Sequence, residues 1–136
     1  LRYLKEHFNL VILSNVDNET FSFSGKRLGV DFDAVFTAED IGTYKPSERN
    51  FEYMISALSA MGIEKHQVLH TAESLFHDHA PANRHQLSNC WIFRRHEEAG
   101  FGATMDPGET PKFDYKFRSM AELAAAHKQQ IKLAAS

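Results

Sequence analysis

The sequence predicts an α/β fold, a Rossmann-like parallel sheet with flanking helices. Three observations carry that reading. Short apolar runs alternate with stretches of helical periodicity, the pattern of strand–helix–strand units. Glycine and proline punctuate the junctions between them. The apolar runs also end in, or lead to, polar residues. Val11-Ile12-Leu13 runs into Ser14-Asn15, Ala34-Val35-Phe36-Thr37 leads through a loop to Lys45-Pro46, and Val68 to Ala72 runs into Glu73-Ser74, with Asp78 beyond. Open parallel sheets bind ligands at the carboxyl ends of their strands, so these residues are candidates to meet in one crevice. No strand ends in Asp-x-Asp, the ending that a covalent mechanism in such a crevice would use.

Taken in order, Leu1 to Phe8 reads as the end of a helix, with Leu1, Leu4 and Phe8 on one face. Asn9 to Asn15 is a short buried strand around the continuous run Leu10 to Leu13. Asn18 to Gly29 is helical, with Gly29 as the stop. Phe32 to Thr37 is the second strand, and Ile41 to Pro46 a loop marked by Gly42 and Pro46. Ser47 caps a strong helix in which Phe51, Met54, Ile55, Leu58 and Met61 recur at helical spacing, and Gly62 ends it. Glu48 in its first turn suits the helix dipole. Gln67 to Ala72 is the third strand. Asp78 to Leu87 is a short helix that tolerates Pro81 only in its first turn. Cys90 to Phe93 is the fourth strand and Glu97 to Pro111 a long loop. Tyr115 to Phe117 is a small edge strand. Ser119 caps a final helix, with Glu122 completing a capping box.

The chain has 136 residues. That suits one domain, residues 1–136, able to bury roughly two thirds of the surface of its unfolded chain. Hydrophobic content of 43% and charged content of 24% are those of an ordinary globular protein. The net charge is −3 without a dense basic stripe, so nucleic acid is not an expected partner. Nothing approaches the about 18 apolar residues of a membrane span, and no secretory signal is expected. The single cysteine, Cys90, lies in an apolar run and reads as a small buried hydrophobe. A cytoplasmic setting is expected.

Each candidate residue has an ordinary reading beside its chemical one. Ser14 and Asn15 offer a hydroxyl and an amide to an oxyanion, a phosphate or a halide, or simply cap a turn. Lys45 is pushed toward extended geometry by Pro46. It either neutralises a carboxylate and its transition state or lies solvated on the surface. Glu73 and Asp78 could ligate a hard cation such as Mg²⁺ or hold Lys45. Alternatively, Asp78 is a helix N-cap and Glu73 a surface residue. His77, His79 and His85 lack zinc spacing. His70, in mid-strand, reads as a packed core histidine.

Taken together and in this order, these elements resemble motifs two, three and four of the haloacid dehalogenase (HAD) superfamily. Ser14-Asn15 is similar to the second motif, Lys45-Pro46 to the third, and Glu73-Ser74-Leu75-Phe76-His77-Asp78 to the acidic fourth. The stretch from Leu10 to Phe93 carries the match. Phe101-Gly102-Ala103-Thr104 and Phe117 to Leu123 resemble the superfamily's closing strand and helix. Cys90-Trp91-Ile92 followed by Arg94 is similar to the type II 2-haloacid dehalogenase branch.

The resemblance implies covalent hydrolysis through an Asp supplied by a first motif, with a helical cap after it. The chain begins at Leu1 and shows neither, so a carboxyl-terminal fragment with an incomplete core is expected. The nucleophile-bearing strand would lie between strands like Leu10–Leu13 and Val68–Ala72. By the same resemblance Ser14 bonds the nucleophile or the bound anion, Asn15 helps bind halide or substrate, Lys45 balances the nucleophile's charge, and Asp78 orients Lys45 or positions water. The sequence departs from both branches. Dehalogenases carry Ser and Asn where Glu73 and Leu75 stand, and phosphatases carry Asp at Glu73.

Three functions follow as expectations. The first is a metal-free dehalogenase acting on a short 2-haloacid. The second is a Mg²⁺-dependent phosphatase of a small phosphomonoester, with Glu73 and Asp78 near the metal. The third is a non-catalytic half-domain. The expected partner is a small-molecule substrate, and exposed strand edges make a homodimer plausible.

Overall fold

The computed structural model describes residues 1–94 and 111–135. Of the loop read at Glu97 to Pro111, only Pro111 lies among them, and Phe101-Gly102-Ala103-Thr104 lies outside them. The elements run α1 (Arg2–His7), β1 (Val11–Ser14), α2 (Asn18–Leu28), β2 (Ala34–Thr37), α3 (Ala38–Ile41), α4 (Glu48–Ala60), β3 (Leu69–Ala72), α5 (Ala80–Arg84), β4 (Ser88–Ile92), β5 (Tyr115–Phe117) and α6 (Met120–Ala135). The expected alternation is present, with parallel strands and flanking helices.

Several ends are set by local chemistry. Asp17 caps α2 by accepting from the Thr20 amide at 2.6 Å, and Gly29 closes that helix at φ 72°, a conformation that costs a residue without Cβ little. Thr37 caps α3 through its Oγ1, a short helix that ends at Ile41, and the loop read from Ile41 to Pro46 begins one residue later, at Gly42. Ser47 caps α4 by accepting from the Arg49 amide. Ser119 Oγ accepts from the Glu122 amide as expected, but the Glu122 carboxylate reaches back to the Arg118 amide.

Among the described residues the strands form two sheets. In one, β1 pairs in parallel with β2, Val11 opposite Ala34 and Ser14 opposite Thr37. In the other, the order is β3-β4-β5, again parallel, with Leu69 opposite Ser88 and Cys90 opposite Tyr115. Helix α4 joins the two sheets. Its apolar stripe of Phe51, Met54 and Leu58 is buried with Ala82 of α5 and Leu87. Val11, Leu13 and Phe36 pack on it from the first sheet's strands, and Val68 packs on it just before β3. Full burial of such side chains contributes about 1.5–3 kcal/mol each, so this cluster does most to hold the sheets in register.

Two sequence expectations change here. β1 was read as buried, yet its residues are only half-buried, because one of its edges faces a groove. The helix read at Asp78 to Leu87 is instead a π-turn at Leu75–His79 followed by the short α5. Ser74, not Asp78, caps that turn, its Oγ accepting from the His77 amide at 3.0 Å. Pro81 falls at the start of α5, where its missing N–H costs nothing.

Candidate active site

The groove between the two sheets has a volume of about 1170 Å³. Val11, Ile12 and Leu13 form one wall, Leu69 to Ala72 the other, and Leu123 and His127 of α6 also line it. β1 and β3 do not pair with each other, so each presents unpaired backbone groups toward the gap. The two strands run the same way along it. Asn15, just after β1, bonds Lys45, and Lys45 bonds Asp78, which follows β3. Both carboxyl ends therefore meet at one end of the groove, where Lys45 and Asp78 form part of its wall.

Lys45 arrives there on a loop clamped from both sides. The Asn15 carboxamide accepts from the Lys45 backbone amide at 2.6 Å and donates to the Lys45 carbonyl at 3.2 Å. Two residues earlier, Thr43 is held by Asn50 of α4, whose Nδ2 donates to the Thr43 carbonyl at 2.8 Å while its Oδ1 accepts from the Thr43 hydroxyl at 2.6 Å. Asn50 is fully buried. The Lys45–Pro46 peptide bond is cis.

The Lys45 Nζ donates to Asp78 Oδ1 at 2.6 Å, and His70 Nε2 lies 2.9 Å from the same oxygen. All three side chains are at most 10% exposed. Burial alone would raise the pKa of Asp78 and is the largest single influence on it. The hydrogen bond from His70 and the charge of Lys45 outweigh it, holding the carboxyl well below the usual carboxylate range. Nearby His79 donates from Nε2 to the Ala72 carbonyl at 2.7 Å. Burial lowers its pKa, which favours a neutral ring.

The predicted residues thus divide. Asn15, Lys45 and Asp78 are brought together. Ser14 ends β1, and its Oγ accepts from the Val16 amide at 3.4 Å in a local turn. Glu73 is placed otherwise, since its backbone carbonyl accepts from the Trp91 indole at 2.9 Å and the groove wall does not include it. Among the described residues no group of three or more His, Cys, Asp or Glu side chains is arranged to hold a metal ion. Asp78 Oδ1 accepts from an ammonium and an imidazole. Cys90 is fully buried and burial pushes its thiol up to about 11, in keeping with a small hydrophobe. No described helix is long and apolar enough to cross a membrane.

His70 and Asn50 were missed as site residues in the sequence. Each carried a signal, a polar side chain where an apolar one was due. His70 interrupts an apolar strand, and Asn50 stands four residues before Met54 on the buried stripe of α4.

No protein-family model matches the chain, and no curated protein matches it. Solved structures do. The HAD-hydrolase YfnB of Bacillus subtilis, solved bound to magnesium, superposes with a TM-score of 0.74 at 22% identity over 92% of this chain and 51% of that one. A HAD phosphatase from Thermococcus onnurineus gives 0.68 at 22% identity over 92% and 53%. The 2-haloacid dehalogenase of Pseudomonas syringae pv. Tomato gives 0.63 at 21% identity over 95% and 50%. The chain spans about half the length of each of these three structures. Over that span, it has the fold of the haloacid dehalogenase-like hydrolases.

Proposed function

We propose that this chain supplies the charge-handling half of a hydrolase active site, one that cleaves the carbon–halogen bond of a short 2-haloacid without a metal. The observation that carries the reading is the Lys45–Asp78 pair at the carboxyl end of the groove. An ammonium has three donors, and Lys45 uses one on Asp78, leaving two for groups entering the groove. In this reading a strand seated between β1 and β3 ends in the nucleophilic Asp. Its carboxylate attacks the carbon bearing the halogen, a C–O bond forms, the C–X bond breaks and halide leaves. Water then adds to the ester carbonyl, the alkoxide leaves to take up a proton as a 2-hydroxy acid, and the carboxylate is restored. Lys45 offsets the nucleophile's charge, Asp78 orients Lys45, Asn15 fixes the Lys45 backbone, and Ser14 meets the nucleophile or the bound anion.

The engagement of Asp78 by Lys45 and His70 favours the metal-free route over Mg²⁺-dependent phosphoester hydrolysis, which would call on Glu73 and Asp78 as ligands. The test is to fuse the amino-terminal strand and cap of a dehalogenase of this fold ahead of Leu1. Halide and phosphate release are then assayed with and without Mg²⁺. Halide release without metal, abolished by Lys45→Ala, is expected. Mg²⁺-dependent phosphate release would replace this reading with the phosphatase. A folded but inert chimera would leave a non-catalytic half-domain.

A further inference from the structure

We infer that His70 is a positioning residue, which holds the Asp78 carboxylate so that Lys45 Nζ stays at the carboxyl end of the groove. An ionised carboxylate only accepts hydrogen bonds, so His70 Nε2 carries a proton and donates it to Asp78 Oδ1. That oxygen then receives two donors from separate elements, His70 from β3 and Lys45 from the loop before α4. Two donors on one atom fix where it lies, whereas a single flexible lysine would not.

The His70 ring is itself held. Phe51 of α4, fully buried, meets it edge-on with centroids 5.3 Å apart, and His79 meets it edge-on at 6.3 Å. The titratable groups around it are therefore Asp78, Lys45 and His79, with His85 stacked on the far side of the contact through Phe51. Any buried imidazole needs an acceptor for its N–H, and the choice of acceptor is what matters here. This one spends its Nε2–H on the residue that pairs with Lys45.

The positioning stands on the geometry, and its service to turnover rests on the hydrolase reading above. The direct readout is hydrogen exchange of the Lys45 ammonium, followed by NMR of the ¹⁵N-labelled full chain, which needs no activity. His70→Leu keeps the bulk and removes the donor. It is expected to speed that exchange about tenfold, the ratio that loss of one charge-assisted hydrogen bond corresponds to. His70→Gln places an amide N–H near the lost Nε2 and is expected to stay within about threefold of wild type. If the leucine variant does not fold, His70→Asn replaces it, because its shorter amide falls short of Asp78 and should also speed exchange. Unchanged exchange in the leucine or asparagine variant overturns the inference. So does a folded glutamine variant that exchanges as fast as they do. In an active chimera, His70→Leu should lower kcat about a hundredfold with KM little changed, and His70→Gln should restore it.

Discussion

The two faces of β1 meet very different surroundings. Toward α4, Val11 and Leu13 pack on a cluster in which Phe51, Met54 and Leu58 are at most 3% exposed. Along its free edge the strand borders the groove, and across that groove Leu69 of β3 is 40% exposed. Helix α6, also on the groove, buries none of its residues fully. Similar apolar runs therefore differ in burial because their neighbours differ. The closed side holds the fold, and the open side offers backbone edges and a chemical end.

Substitution should separate the two sides. Phe51→Ala is expected to cost about 3–5 kcal/mol in denaturant unfolding, since it opens a cavity in the closed core. Ile12→Ala, at the groove, should cost roughly 1 kcal/mol or less. Equal losses at both positions would mean that the groove is as tightly packed as the core.

The ion pairs repeat the contrast. Lys45→Met leaves the Asp78 carboxylate buried with His70 alone and is expected to cost about 3 kcal/mol. Lys5→Met breaks a pair whose side chains are 33% and 28% exposed, and the unfolding midpoint should hardly move. Acid sharpens the comparison. The folded pKa of Asp78 lies below its unfolded value, so its contribution is complete above about pH 3.9 and is lost as the pH falls further. Asp78→Asn should therefore narrow its stability gap from wild type as the pH drops below that point. A gap that stays constant down to pH 2 would contradict the assignment.

The smallest effect concerns Cys90. With its thiol raised to about 11 by burial, it should resist alkylation at pH 8 in the folded chain and react readily once unfolded. Rapid labelling without unfolding would show that the β4 side opens as easily as the groove side.

Much of this was legible in the residues. Short apolar runs mark β1 to β4, and the spacing of Phe51, Met54 and Leu58 marks α4, because burial of one face imposes that period. Asp78 was legible as a candidate because it follows a strand by a few residues, and Lys45 because it precedes a proline in the loop to which a strand leads. His70 and Asn50 were visible only as polar interruptions. Nothing local says which acceptor an imidazole in mid-strand will find eight residues on. The π-turn was not legible either. It starts from the Ser74 cap and places Asp78, expected to open a helix, inside the turn and against Lys45.

The sequence alone determined the order of the strands and of the longer helices, the stop at Gly29, the caps at Ser47 and Ser119, and the charged residues available beyond the strands. Those follow from side-chain periodicity and from hydrogen bonds between residues a few positions apart. Only the tertiary structure decided that the strands divide into two sheets, that a groove separates β1 from β3, and that Lys45, Asp78 and His70 share one oxygen. Those depend on pairing across tens of residues, where α4 packing on both sheets, rather than any local preference, sets which groups meet.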